Sequence, residues 1–586
     1  MKMMTTTKPV SRALLLSGGA FLSGALMLAA TTAIAADAGS LLNQQQQQQQ
    51  PRLPDRLPTQ EPTEQAPASI KDTGAKVDVK SISVSGGDGL ATEAELNAVV
   101  APSIGKTMTV SQLNGVAAQV TAYLRSKGWP LAQAYLPPQD VTDGNIVINI
   151  IRGHIEGRGA TVNGNGMRLS QSFAKSTVDG ALPSDGSTPD QADLERSVLL
   201  LNDIPGITAR STLQRGAEAN STDMLVDVNE GPWVNGGLSV DNFGNRYTGG
   251  RRETGNASLN DPLGWGDQLS AQGVVADRLR LEQLGYSLPL ASNGLRLSSS
   301  FTHLRYRIGE ENMSQDSHGT ANTIDTKVSY PFIRTRQMSV YGNLGYTYKA
   351  LNDFTGGQES SNRRIHEMSP SVSATRFDDF GGGGLSTGTF TVTSGNLGRD
   401  HVALDEATDT KTAQSSGSFS KANLSGARLQ HMTSDFSLFV SASGQMADKN
   451  LDSSEKFILG GPSGVRAYPV GEGSGDDGWL TNAEVRYDVP YQSEYGNLQL
   501  VTFYDMGGVR LDHNMWNGAI NTATGRNYYT LSGAGVGLNL TKTNWYALRG
   551  SWAHSIGNNP GRTLSGNNSD GQQDSQQFWL QLSAYF

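Results

Sequence analysis

The sequence predicts an all-β transmembrane barrel of 16 antiparallel strands, preceded by two small α+β domains. Three observations predict it. From about residue 232 to the C-terminus, apolar and polar residues alternate at period two, the pattern of a sheet with one apolar and one polar face. The connections between these segments alternate long and short, which suits a closed barrel with extended loops at one rim and tight turns at the other. Residues 78–230 repeat a β-α-α-β-β order twice in tandem. Net charge is −9 and spread thinly, with no basic stripe interleaved by aromatics, which argues against a nucleic-acid partner.

At the N-terminus, Lys2, Lys8 and Arg12 precede the apolar run "ALLLSGGAFLSGALMLAATTAIA", which ends in Ala33-Ile34-Ala35. A basic head, apolar middle and small-x-small exit make residues 1–35 a secretory signal peptide. No other stretch has the length and apolarity of a spanning helix. In residues 36–77, "AGSLLNQQQQQQQ" reads either as a short helix that Pro51 ends or as a disordered tail. The Pro-rich "PRLPDRLPTQEPTEQAPAS" behind it reads as an extended linker. The whole segment is short of apolar residues, so it is not expected to build a core.

Residues 78–154 and 155–231 form the two repeats. "VDVKSISVSG" reads as a strand, followed by helices in "ATEAELNAVVAP" and "TVSQLNGVAAQVTAYLRSKG". The second helix places Leu113, Val116, Val120 and Leu124 on one face, and Gly128 ends it. "PLAQAYLP" and "NIVINIIRGHIEG" supply two more strands. The order recurs from "GATVNG" through helices near 167–179 and 189–203 to "ITARSTLQRG" and "TDMLVDVNEG". Each repeat is expected to hold a three-stranded sheet with exposed edges. Such edges accept an extended chain by strand addition.

Residues 232–586 carry the barrel, with strands read at about 232–242, 250–259, 267–276, 278–290, 295–308, 321–333, 338–351, 364–378, 384–397, 417–432, 436–447, 479–490, 497–511, 528–541, 545–555 and 578–586. Long connections such as "GEENMSQDSHGT", "NDFTGGQESSNR" and 448–478 follow odd-numbered strands from the fifth onward. Short ones such as "RTRQ", "TSD" and "TKTN" follow even-numbered strands. Between Leu297 and Leu304 the alternation fails, and a bulge is expected there.

Catalytic motifs do not survive inspection. "GKT" at 105–107 lacks the first glycine of a phosphate loop, since Val100 holds that position. "GLSTG" at 384–388 fits a nucleophile motif but continues as strand rather than turning into a helix. The histidines are scattered and there is no cysteine, so no metal site or cofactor is expected.

One loop stands out. "GGPSGVRAYPVGEGSGDD" is rich in glycine and proline, yet sets Arg466 between Val465 and Tyr468. Beyond the next hairpin, "VTFYDMGGV" alternates so that Val501, Phe503, Asp505 and Gly507 share one face and Leu500, Tyr504 and Met506 the other. The second face suits lipid, which points Asp505 into the lumen. A guanidinium can hold a carboxylate there through two parallel bonds. A hydrated lumen is expected to weaken the pair.

These residues carry a resemblance to a family. The stretch "YLRSKGWPLAQAYLPPQDVTDGNIVINIIRGHIEG" resembles POTRA domains, which are periplasmic polypeptide-binding modules. "VRAY" is similar to the Val-Arg-Gly-Tyr motif on the sixth external loop of two-partner secretion transporters, the haemolysin secretion/activation family. "FYDMG" is similar to their F-x-D-x-G motif on the thirteenth strand. Ala467 departs from the usual glycine. The resemblance implies Arg466 as a loop-tip residue inside the pore, Asp505 as its partner, and a pore-plugging helix near 38–50. The C-terminal "FWLQLSAYF", with Phe578, Leu580, Leu582 and Phe586, resembles the sorting signal of barrel proteins.

The function so implied is nucleotide-independent export of one large β-helical exoprotein across the outer membrane, with the POTRA domains binding it unfolded. Outer-membrane lipid and the barrel assembly machinery are the other expected partners. The alternatives are a barrel assembly factor built from the same modules, or a passive porin. Paired polypeptide-binding domains disfavour the porin.

Overall fold

The computed structural model describes residues 36–49, 53–56, 76–157, 159–164, 166–218, 220–491 and 493–586. The signal peptide and most of the Pro-rich linker lie outside the described residues.

In the first repeat, Ser81–Ser85, Asn145–Ile151 and Gln133–Tyr135 form a three-stranded sheet, and Lys76–Asp78 pairs separately with Thr107–Thr109. The helix Val110–Ser126 starts at a capping box, where Thr109 and Gln112 satisfy each other's backbone N–H. Leu113, Val116, Val120 and Leu124 are buried against Ile82, Leu96, Ile146 and Ile148. Gly128, at φ 93°, ends the helix in a conformation that side-chain-bearing residues rarely adopt.

The second repeat packs the helices Gln171–Asp179 and Gln191–Asn202 on a sheet of four strands rather than the expected three. Its first strand is broken into His154–Ile155 and Thr161–Asn163, which lie end to end along Ser221–Glu230. Ile207–Arg215 pairs on the other side of that strand and leaves one edge open. This domain sits on the short turns of the barrel. Arg334 Nη2 lies 2.7 Å from Asp203 Oδ1, and Arg196 Nη1 donates to the carbonyl of Pro331 at 2.8 Å.

Sixteen antiparallel strands close the barrel, from Val234–Asp241 to Gln576–Tyr585. The closing seam pairs Gly237 with Tyr585 through Asp241 with Gln581, five pairs in all. Leu238, Leu284, Phe332, Leu424, Val536 and Leu582 point outward and are exposed, while charged residues line the interior. That distribution inverts a soluble protein and suits lipid outside.

Two barrel expectations are corrected. The fifth strand, Arg296–Arg307, pairs with both neighbours without a register shift; the irregularities fall instead at Pro331/Ile333 and Asp353/Phe354. "NDFTGGQESSNR" is not a long loop. Met338–Thr355 and Gln358–Asp378 run on to a tight turn at Gly356 and Gly357, both at positive φ (59° and 79°), which a two-residue hairpin turn requires.

The lumen is filled. The helix Ala38–Gln48 lies inside it, and Ala38, Leu41 and Leu42 are fully buried against Leu304, Tyr306, Ala321, Leu351, Ile365, Leu397 and Phe419. The N-terminal segment therefore does contribute to a core, contrary to the reading of its composition. Leu304 explains the failed alternation, because it faces an apolar helix where Phe301 on the same strand faces lipid. The chain then passes the rim nearer the small domains, where Leu53 packs on Leu385 and Leu429 and Asp55 Oδ2 sits 2.8 Å from Arg549 Nη2.

Candidate functional site

The loop at 448–476, between the eleventh strand (Phe436–Ala447) and the twelfth (Asp477–Asp488), folds back into the barrel. Phe457–Ile458 pairs with Ser474–Gly475 at its base. Nearer the tip, Val465 N–H donates to Leu459 O at 2.7 Å and Gly461 N–H to Tyr468 O at 3.1 Å. Gly464 permits this fold, since a Cβ there would lie 1.9 Å from the Leu459 carbonyl oxygen. Val465, Ala467 and Tyr468 are buried with Leu480, Val501, Phe503, Tyr529, Leu531 and Ala553 of the wall.

That packing aims one guanidinium at two carboxylates. Arg466 Nε donates to Asp505 Oδ2 at 2.8 Å and Nη2 to Asp505 Oδ1 at 2.7 Å, a bidentate fork. Its backbone N–H adds a third bond to Asp505 Oδ2 at 3.1 Å. Nη1 donates to Glu484 Oε1 at 2.7 Å, and the Phe503 ring lies under the guanidinium, 3.4 Å from Cζ to centroid. Asp505 is fully buried and the Arg466 side chain 12% exposed. The pair is enclosed rather than set in a hydrated lumen.

Gly507 completes the motif sterically. A Cβ there would stand 2.5 Å from Leu459 Cδ2, so the glycine makes room for the base of the loop. Ala467 takes the place of a glycine without strain, since its φ is not positive, and its methyl fits against Gly533.

Sequence reasoning missed Glu484, Asn482 and Trp579. Asn482 Nδ2 donates to Asp505 Oδ1 at 2.8 Å and to Gly464 O at 3.0 Å, and Trp579 Nε1 donates to Arg466 O at 2.8 Å. Arg486 Nε holds the other oxygen of Glu484 at 2.9 Å. In sequence, the alternation along "WLTNAEVRYDV" puts Asn482, Glu484 and Arg486 on one polar face. Register supplies the rest, because Asn482 pairs across from Asp505 and Glu484 from Phe503.

The helix is bound to the same loop and to opposite walls. Its N-cap Asp37 Oδ2 lies 3.0 Å from Arg363 Nη1 on the eighth strand and accepts from Ser453 Oγ at 2.9 Å. Near its C-terminus, Gln45 Oε1 accepts from Arg252 Nη1 on the second strand at 2.7 Å. Gln47 Nε2 donates to Ile458 O and Asn43 Nδ2 to Lys456 O, both in the loop. A carboxylate at the helix N-terminus and a cation at its C-terminus complement the macrodipole. Within the loop, Glu455 is buried between Lys349 and Lys421 of the wall.

Two further predicted features lie elsewhere. On the open edge Ile207–Arg215, the N–H and C=O of Ala209 are taken by the Asn202 side chain at 2.8 and 3.1 Å. Ser211 and Leu213 turn their backbone groups the same way, and among the described residues these meet no partner. At the C-terminus, Phe578, Leu580, Leu582 and Phe586 all point outward and are exposed.

Comparison with known proteins agrees with this architecture. The model of the family described as "Haemolysin secretion/activation protein ShlB/FhaC/HecB" matches residues 220–540, more than half of the 586-residue chain. The ShlB-type POTRA domain model matches residues 77–153. The heme/hemopexin transporter protein HuxB of Haemophilus influenzae is 26% identical over 497 residues, 84% of each chain. The outer membrane transporter CdiB of Escherichia coli is 24% identical over 486 residues, 80% of each. The solved structure of CdiB from Escherichia coli superposes with a TM-score of 0.70 at 20% identity, covering 95% of this chain and 100% of that one.

Proposed function

The chain belongs to the haemolysin secretion/activation protein family, an outer-membrane transporter with periplasmic POTRA domains and not an enzyme, and on that premise we propose that it exports a single partner exoprotein in unfolded form. The observation that carries the reading is the state of the lumen. A passive pore would be open, whereas here a helix and a loop of the same chain occupy the barrel, held by hydrogen bonds and ion pairs rather than by a continuous sheet. Such polar contacts are individually modest and exchangeable.

The cargo first pairs with the open edge at Ser211 and Leu213, adding a strand to the second POTRA domain. It then enters the domain-side rim, displaces the helix and leaves as the loop yields. Folding outside makes return unfavourable, so no nucleotide is required. Arg466 and Asp505 set the position to which the loop returns. The outward residues Phe578 to Phe586 act earlier, during insertion by the barrel assembly machinery.

Leu213→Pro tests the first step. It removes one outward N–H from the edge while leaving the inward ladder to Ser221–Glu230 intact. The probe is an unfolded fragment of the partner exoprotein. Binding to the full-length transporter should fall, and export with it, while the barrel remains assembled. Unchanged binding and export would remove this edge from the pathway.

A further inference from the structure

Near one rim, the outward face of the barrel gathers three arginines on adjacent strands. On the sixth strand, His318–Arg334, the outward series from Phe332 through Val328 and Ile324 to Asn322 spans eleven residues. A tilted strand needs about 9–11 residues to cross the hydrocarbon core, so the boundary at the far rim falls near Asn322. In the same row on the neighbouring strands stand His303 and Glu282, with Leu284 and Phe301 one step below in the apolar band. One and two steps above come Arg280, Arg305 and Arg307, with His318 beside Arg307.

These arginines are poorly served by the protein. Arg280 lies directly across from Arg305, a like-charge pairing that costs stability. Among the described residues Arg280 has no ion pair. Arg305 reaches Glu282 only at 3.6 Å and Arg307 reaches Asp316 only at 3.7 Å, with the side chains 54% and 61% exposed. The opposite wall offers Ser394, Asn396, Ser418 and Met446 at this rim, and Arg510 there is paired with Asp477 at 3.2 Å.

We infer that Arg280, Arg305 and Arg307 form a binding site for the phosphate groups of an anionic glycolipid in the outer leaflet. The position fits a headgroup whose acyl chains lie along Leu284, Phe301 and Ile324. Guanidinium forks suit phosphate oxygens, and three arginines against Glu282 and Asp316 leave the patch net positive where such a headgroup would sit. The site would fix in the membrane the wall of the fourth to sixth strands, against which the helix Ala38–Gln48 packs from inside. The assignment rests on the outer-membrane placement but not on the export reading.

The test uses the full-length protein in detergent, with native mass spectrometry of retained lipid. Bisphosphorylated lipid A, the same lipid with both phosphates removed, and inorganic phosphate are offered in turn to the wild type, to Arg280→Gln/Arg305→Gln/Arg307→Gln, and to Arg510→Gln. Heat-modifiable gel migration reports the folded barrel; if the triple variant fails it, Arg305→Gln alone replaces it. The wild type and Arg510→Gln should retain lipid A, and the arginine variant should lose roughly tenfold in a salt-dependent manner. Equal retention by that variant, equal retention of the dephosphorylated lipid, or comparable capture of inorganic phosphate would each overturn the proposal.

Discussion

The indole N–H of Trp579 donates to the backbone carbonyl of Arg466 at 2.8 Å. The last strand of the barrel thus holds the backbone of the residue whose side chain is held by the twelfth and thirteenth strands. Trp579 also meets Phe243 edge-on, 5.9 Å between centroids, with Val470 of the loop against both. The loop tip therefore braces the short closing seam from inside.

Trp579→Phe should keep the ring packing and lose one hydrogen bond, about 0.5–1.5 kcal/mol. Export should decline without being abolished, and Trp579→Ala should be worse. Trypsin cleavage after Arg466, blocked while the tip is buried, should appear in the same order. Equal resistance in all three proteins would show that the indole does not hold the loop.

Gly533→Ala should eject the tip from its seat. The new Cβ would stand 2.4 Å from that of Ala467, closer than any real contact. Restoring space by Ala467→Gly in the same chain should recover export. A double variant as defective as Gly533→Ala alone would mean that the clash lies elsewhere.

How much of this was legible beforehand depends on what each residue faces. All sixteen strands could be located because lipid imposes an apolar outer face on every one of them. The inner face obeys no such rule. Leu304, Ile365, Leu397 and Phe419 point inward because a helix some 250 or more residues earlier in the chain packs there, and no local pattern reports that. The glutamine run has no periodicity, yet Gln44, Gln45, Gln47 and Gln48 each find a polar partner in the barrel or loop. Glu484 was visible as an inward residue but needed strand register to become a ligand of Arg466.

Deleting residues 37–56 should leave an assembled barrel and raise its ion conductance in planar bilayers. The three apolar residues buried by the helix and the contacts of Asp37 with Arg363 and Ser453 go with it. Arg363→Gln should do the same in part, by freeing the N-cap. A deletion that leaves conductance unchanged would show that the loop alone closes the pore.

The central claim is that Arg466 and Asp505 act as one unit that seats the loop for export. A double-mutant cycle over Arg466→Ala and Asp505→Ala, scored by exoprotein exported at matched barrel levels, tests it most directly. Breaking one side of a buried pair costs about 3–5 kcal/mol, and Asp505 here is fully buried. Arg466→Ala should be the harsher single change, because it takes the guanidinium from Asp505 and one of two cationic partners from Glu484, whereas Asp505→Ala leaves Glu484 on the guanidinium. Arg466→Lys should also fail, since an ammonium cannot span the fork to Asp505 and reach Glu484 at once. The double variant should then be no worse than Arg466→Ala alone. Defects that multiply, with the double variant far below either single one, would contradict the account.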